Sequence, residues 1–349
     1  MTMRYDLHQN RRSFTLVELL VVIGIIVCLM TILLGVVWKV YRRAAVLSCP
    51  IAYIGNDHVL HLTDPSGKAD IRLFSQTDPV RLNSGSYYPR QVQWAPSGMH
   101  LAAPCYEPNG TRTIVGVFDI KTGVAKACAV DPGVNFAGWL DSWHVTAADR
   151  NKLDTLVCAD IESGAVDRKV KLPFENVFGY GVISPAPLTC SRGRYVTMRA
   201  AGAKNDSTGI DIVLLNKDLK ISRIVWQAPD RKTVNAHPRI DPMGEWVGWT
   251  MSWSDNNQRV SRIAIKGVNQ ACSELPTMIG EQFPAAIFCD WTEDGRVLAN
   301  VAKELDKNNR PTKWALVILD RRGNLINEIP TAVPPQDETS AAWRKYGHQ

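Results

Sequence analysis

Val92-Gln93-Trp94-Ala95-Pro96-Ser97-Gly98 and Phe288-Cys289-Asp290-Trp291-Thr292-Glu293-Asp294-Gly295 are two copies of one plan, an apolar run that ends in Trp and then turns at Gly. Arg239-Ile240-Asp241-Pro242-Met243-Gly244-Glu245-Trp246-Val247 repeats it with Ile at the Trp position. Phe136-Ala137-Gly138-Trp139 and Leu188-Thr189-Cys190-Ser191-Arg192-Gly193 are weaker copies. The physical reading is that Trp ends an inner strand and packs between neighbouring sheets. The Pro or Asp with Gly then supplies a tight turn that reverses the chain. Each unit continues with a second strand, a polar loop and a third strand. That third strand closes on a matching turn: Phe118-Asp119-Ile120-Lys121-Thr122-Gly123, Ala159-Asp160-Ile161-Glu162-Ser163-Gly164 and Leu319-Asp320-Arg321-Arg322-Gly323. Units begin near residues 88, 134, 178, 235 and 283. That spacing of about 45–55 residues suits four-stranded propeller blades.

The two ends of this region complete the count. Ala341-Ala342-Trp343-Arg344-Lys345-Tyr346-Gly347 repeats the first-strand signature with no strands after it. Ile51-Ala52-Tyr53-Ile54, Val59-Leu60-His61-Leu62-Thr63-Asp64 and Pro65-Ser66-Gly67 read as the later strands of a blade that lacks its first. Joining them closes the ring and leaves no open edge between first and last blades. The expectation is an all-β, six-bladed propeller over residues 49–349, closed by a C-terminal strand at 339–349; seven blades also fit turn motifs this degenerate. The Trp-Ala-Pro-Ser-Gly (94–98) and Trp-Thr-Glu-Asp-Gly (291–295) turns resemble those of the Tol-type periplasmic and broader WD40-like propeller superfamily.

Upstream of residue 50 the pattern is different. Residues 14–38 read FTLVELLVVIGIIVCLMTILLGVVW, 25 residues whose only charge is Glu18. At a 1.5 Å rise per residue this apolar helix crosses a bilayer core of about 30 Å. A secretory signal peptide is shorter and ends in a small-residue cleavage site. Here the helical pattern runs on through Lys39-Val40-Tyr41-Arg42-Arg43-Ala44-Ala45 to a stop at Pro50. Val46-Leu47-Ser48-Cys49 imitates a lipoprotein cleavage box only loosely, because Arg42 and Arg43 separate it from the apolar stretch. The net charge of +6 gathers around this helix: Arg4, Arg11 and Arg12 oppose Asp6 before it, and Lys39, Arg42 and Arg43 oppose Glu18 within and after it. The remainder of the 349-residue chain is nearly neutral, so a nucleic-acid partner is not expected. A carboxylate inside a membrane span costs about 2.5–3.5 kcal/mol even on the mild insertion scale, so Glu18 is expected to have a partner and a purpose.

The stretch Arg11-Arg12-Ser13-Phe14-Thr15-Leu16-Val17-Glu18-Leu19-Leu20 resembles the class III signal of type IV prepilins and type II secretion pseudopilins. The resemblance implies cleavage between Ser13 and Phe14 by a membrane prepilin peptidase, N-methylation of Phe14, and a role for Glu18 in setting register during filament assembly with other pilin-like subunits. It divides the chain into a basic leader (1–13), a membrane helix (14–48) and the propeller (49–349). It also orients a single-pass protein in the inner (cytoplasmic) membrane, with the N-terminus cytoplasmic and the propeller periplasmic or extracellular. Two features depart from the family: Ser13 stands where Gly is usual, and the span has no central Pro.

No catalytic motif accompanies the propeller. The sequence lacks a G-x-S-x-G elbow, a Gly-rich phosphate loop and H-E-x-x-H. His58 and His61 should face opposite sides of a strand, which makes a poor metal pair. His100, His144 and His348 each follow a first turn and are read as loop histidines rather than a metal or acid/base cluster. His237-Pro238 opens the fifth unit, where a structural histidine is the simpler reading than a channel-facing one. Cys28 lies in the span; Cys49, Cys105, Cys128, Cys158, Cys190, Cys272 and Cys289 show no C-x-x-C spacing and read as buried small apolar residues, although one to three pairs could oxidise outside the cytoplasm. Tyr87, Tyr88, Tyr106, Trp143, Tyr180, Trp249 and Trp253 could offer a protein or glycan surface or pack between blades. The polar stretches 107–113, 203–209, 254–258 and 304–312 are expected hairpin tips within blades.

The expected function is therefore a non-enzymatic, prepilin-like subunit of a type IV pilus or type II secretion pseudopilus that displays the propeller as a binding head, with no cofactor and no metal site. A head this large suits a tip or low-copy position. The alternatives are a signal-anchored receptor that never polymerises and a propeller-based polysaccharide lyase or hydrolase.

Overall fold

A computed structural model of the chain describes residues 15–57, 59–73, 81–82, 92–106, 113–128, 138–149, 152–173, 189–191, 193–201, 208–229, 233–255, 258–308, 310–335 and 341–344. The chain divides into two compact units, residues 1–46 and 47–349. The first is built on one α-helix, Leu16–Ser48. Its side chains from Leu16 to Val37 are exposed all round on a helix that is apolar on every face. The helix ends two residues before the first strand, at Cys49-Pro50.

The second unit is a six-bladed propeller of antiparallel sheets. Blade 1 pairs Ala342–Trp343 with Ile51–Ile54, followed by Leu60–Thr63 and Asp70–Arg72. The Ile51↔Trp343 and Ala52↔Ala342 pairs close the ring with the C-terminal strand, as the two half-blades in the sequence require. Blade 2 holds Gln93–Trp94, His100–Tyr106, Thr113–Asp119 and Val124–Cys128. Its inner edge carries an additional short strand, Arg81–Leu82, paired with Tyr106 and Cys105. Blade 3 is Gly138–Trp139, His144–Asp149, Lys152–Asp160 and Val166–Lys171; blade 4 is Thr189–Ser191, Arg194–Ala201, Thr208–Leu215 and Ile221–Trp226. Blade 5 is Val234–Ile240, Trp246–Asp255, Gln258–Gly267 and Thr277–Ile279; blade 6 is Ala285–Trp291, Val297–Leu305, Pro311–Leu319 and Leu325–Ile329. Of the polar stretches expected as hairpin tips, 107–112, 203–207, 256–257 and 309 lie outside the described residues, while Ser254, Asp255, Glu304 and Leu305 extend second strands of blades 5 and 6.

The core lies between blades. One apolar cluster joins Val196, Ile212 and Leu214 of blade 4 to Val247, Trp249 and Ala264 of blade 5, and another joins Ile263 and Ile265 of blade 5 to Phe288, Trp291 and Val317 of blade 6. The repeated Trp does more than fill this space. Trp94 Nε1 donates to the Ala342 carbonyl at 3.2 Å, Trp139 Nε1 to Gln93 at 3.2 Å and Trp291 Nε1 to Arg239 at 3.0 Å. In each case the acceptor is the residue just before the matching position of the preceding blade, so one repeated side chain fixes the stagger between neighbours. The turns are set by Asp and Gly. Asp119 Oδ1 accepts the amides of Lys121 and Thr122, Asp160 Oδ1 those of Glu162 and Ser163, and Asp320 Oδ1 those of Arg322 and Asn324. Each turn ends on a glycine at positive φ, Gly123 (70°), Gly164 (70°) and Gly323 (88°), where a Cβ would be strained.

Candidate functional site

Glu18 lies in the first turn of the helix. Thr15 precedes that turn as its N-cap. The Thr15 hydroxyl accepts the Glu18 amide at 3.3 Å, while Glu18 Oε2 accepts the Thr15 amide and hydroxyl, each at 2.9 Å. This reciprocal capping box satisfies two amides that the helix cannot satisfy internally. The Thr-x-x-Glu spacing was readable in the sequence as a helix start and was missed there. Beyond Glu18 no charged residue occurs before Val37, and Leu16–Val37 is long and apolar enough to cross a membrane. Ser13 and Phe14, the expected cleavage and methylation residues, lie outside the described residues.

Among the described residues, the propeller's histidines build no metal-holding group. His144 directs Nδ1 at Asp141 (2.8 Å) and Nε2 at Asp167 (3.1 Å), so both its nitrogens are engaged by its own blade. His100 lies between the rings of Trp139 and Trp143, at 6.5 and 6.3 Å, and burial lowers its pKa. His348 and His58 lie outside the described residues. His237 is buried in a bulge of the inner strand of blade 5 at φ 58°. Its pKa is pushed down to about 3 by burial and by the charges of Arg239 and Arg259, so the imidazole is neutral. Its Nδ1 finds no hydrogen-bond partner among the described residues, which differs from the hydrogen-bonded histidine a structural role suggested. Among the described residues no group of three or more His, Cys, Asp or Glu side chains is arranged to hold a metal ion.

Five of the seven propeller cysteines follow the apolar reading; Cys272 departs from it, being exposed. Cys49, Cys105, Cys128, Cys158 and Cys289 are buried free thiols, and burial pushes Cys49 and Cys128 up to about 11 and Cys158 and Cys289 up to about 12. Such thiols are poor nucleophiles at neutral pH. Of the aromatic candidates, Trp249 is fully buried with Nε1 on Asn235 Oδ1 at 2.9 Å, and Trp253 packs against the core between blades 4 and 5. Trp143 is 54% exposed, beside the His100 ring at 6.3 Å. Tyr87, Tyr88 and Tyr180 lie outside the described residues.

One polar constellation was not foreseen. In blade 1, His61 sits between Asp57 and Asp70, with Tyr53 stacked on its ring. The residues come from three strands and a turn, so only the register of the sheet reveals the cluster.

Comparison with known proteins adds two findings. The prokaryotic N-terminal methylation motif matches residues 8–34. No curated protein sequence matches the chain. Among solved structures, TolB from Acinetobacter baumannii superposes with a TM-score of 0.56 at 13% identity, covering 84% of this chain and 66% of that one. The putative TolB from Agrobacterium tumefaciens gives 0.47 at 11% identity, over 84% of this chain and 94% of that one. The β-propeller domain of the Trilobed protease from Pyrococcus furiosus gives 0.43 at 14% identity, over 77% and 73%. At these identities the likeness to TolB speaks for the fold. The chain spans 66% of the length of the Acinetobacter protein it matches. The chain thus joins a pilin-like N-terminal methylation motif, on a helix of membrane-spanning length, to a six-bladed propeller of TolB-like fold.

Proposed function

We propose that this protein is a prepilin-like subunit of a type IV pilus or type II secretion pseudopilus whose propeller is a binding head. The observation that carries the reading is the methylation motif at residues 8–34, which runs into the apolar span Leu16–Val37, where Glu18 is the one charge. In this reading a prepilin peptidase cuts between Ser13 and Phe14 and Phe14 is N-methylated. Glu18 then exchanges its bonds to Thr15 for the α-amino group of a neighbouring subunit, an ion pair that removes the cost of a lone carboxylate in lipid. The leader lies in the cytoplasm and the propeller on the far side of the inner membrane. A ring of roughly 300 residues would crowd a tightly wound filament, which favours a tip or low-copy position. The head acts by binding a protein or glycan and not by catalysis; exposed Trp143 is its candidate contact.

Ser13, where a prepilin normally has Gly, favours a second reading, a signal-anchored receptor that is never cut. The mature N-terminus separates the two. After co-expression with a prepilin peptidase, mass spectrometry should find N-methylated Phe14; an intact leader beginning at Met1 would favour the receptor.

A further inference from the structure

Blade 1 is built from both ends of the propeller, and a histidine lies between two carboxylates at its centre. His61 Nδ1 is 2.8 Å from Asp70 Oδ1, and Nε2 is 3.2 Å from both oxygens of Asp57. Tyr53 stacks on the imidazole at 5.1 Å between centroids and donates its hydroxyl to Asp70 Oδ2 at 2.5 Å. Arg72 reaches to 3.9 Å from Asp57 Oδ2. Among the described residues, the charged and titratable groups around His61 are therefore Tyr53 from Ile51–Ile54, Asp57 from the following turn, and Asp70 and Arg72 from the outer strand. The apolar connector 331–335 contributes none.

That connector leads from blade 6 toward the closing strand, and the same cluster holds it. Asp70 Oδ2 accepts the Ala332 amide at 3.0 Å. On the other side, the Asn56 amide donates to the Pro334 carbonyl at 2.9 Å and Gly55 forms a bridge with Pro335. A Cβ at Gly55 would fall 2.6 Å from Asp57 Oδ1, 3.0 Å from Val333 Cγ1 and 3.3 Å from His61 Nε2. Turn, connector and imidazole thus pack together with no room for a methyl group.

An imidazole can donate to carboxylates on both sides only when it carries two N–H groups. The neutral ring keeps one, which suits the shorter contact to Asp70 and turns a lone pair toward Asp57. Burial opposes the charged ring, but the hydrogen bonds and charges of Asp70 and Asp57 outweigh it and raise the pKa above its ordinary 6.5. Burial likewise pushes Asp70 up, but hydrogen bonds from His61, Tyr53 and the Ala332 amide, with the charge of His61, leave its pKa lowered. The sign follows. Stability from His61 is complete below its ordinary value and is lost as pH rises through its raised folded-state value.

We propose that Asp57, His61 and Asp70 form a pH-sensitive latch on ring closure: the imidazolium ties the turn that grips Pro334 to the carboxylate that grips Ala332, and its deprotonation uncouples them and loosens the segment that delivers the closing strand. The test uses the full-length chain in detergent micelles, unfolded thermally from about pH 5.5 to about pH 9.5. Wild type should lose at least about 2 °C more in Tm toward the alkaline end than His61→Gln, which cannot titrate. Parallel curves overturn the proposal. Should His61→Gln not fold, NMR of wild type with labelled histidine and alanine decides the matter. A His61 ring that titrates above 6.5, with the Ala332 amide following at the same midpoint, supports the latch. A ring that titrates at or below that value, or an Ala332 amide that does not follow it, overturns it.

Discussion

Trp291 and Trp343 end the inner strands of adjacent blades, yet their indoles differ in one respect that substitution can measure. Trp291 Nε1 donates to the Arg239 carbonyl at 3.0 Å across a blade interface, in a fully buried site where Phe288 meets the ring edge-on at 5.6 Å and Arg321 lies 5.7 Å above it. Trp343 Nε1 is buried and has no acceptor among the described residues; by analogy it would reach the Asp290 carbonyl. Trp→Phe shrinks the ring in both cases, but only at Trp291 does it remove a donor from a buried carbonyl. That loss costs about 1–3 kcal/mol, and a weaker contact with the Arg321 guanidinium adds a little to it. At Trp343 the same change removes a buried N–H that has no partner among the described residues, a gain that offsets the smaller ring. With about 2 cal/mol/K of unfolding entropy per residue, a cooperative unit of this size loses roughly 1.5 °C in Tm per kcal/mol. Trp291→Phe should therefore melt roughly 2–5 °C below Trp343→Phe by calorimetry of the full chain. Equal losses, or a greater loss at Trp343, would refute the assignment of the indole bond as the inter-blade fastener.

The features read correctly from the sequence are those that recur along it. Gly98, Gly244 and Gly295 take φ of 65°, 72° and 75° in the first turns, so a residue type tied to one backbone conformation recurs wherever that conformation does. The split blade, blade 1, was legible for the same reason, since Trp343 repeats the position of Trp94 and Trp291. The additional strand Arg81–Leu82 was not legible: two residues carry no period, and only their pairing with Tyr106 and Cys105 defines them. His61 was weighed against His58 because sequence offers only neighbours along one strand. Its actual partners are placed by the Tyr53↔His61 and His61↔Arg72 registers across three strands. Thr15 shows a different limit. Its capping spacing is present in the sequence, but the same Glu18 carboxylate also fits an assembly role, so spacing alone does not single out the local bonds that it makes to Thr15.

Three further expectations follow from these contacts. Glu18→Gln keeps an oxygen that can cap Thr15 but removes the charge, whereas Glu18→Ala removes both; if the charge is what assembly uses, both should abolish filament incorporation, and rescue by Gln alone would assign the role to capping. Gly67 and Gly123 share a φ near 70°, but a Cβ at Gly67 would fall 2.3 Å from the Pro330 carbonyl oxygen, whereas one at Gly123 meets nothing within 4 Å. Gly123→Ala should cost about 1–2 kcal/mol for its left-handed backbone alone, and Gly67→Ala should cost more in denaturant titration because it must also part blades 1 and 6. Removal of residues 339–349 takes the inner strand from blade 1, exposing the edge of Ile51–Ile54, whose side chains are all buried in the closed ring. It also takes away Arg344, whose amide donates to the Pro50 carbonyl at 2.7 Å and whose guanidinium lies 5.2 Å from the Trp94 ring centroid. An unpaired edge beside an open seam favours pairing with another chain. The truncated protein should therefore self-associate in sizing chromatography and melt well below the full chain. A monomer with an unchanged Tm would mean that the other five blades hold the ring without its closing strand.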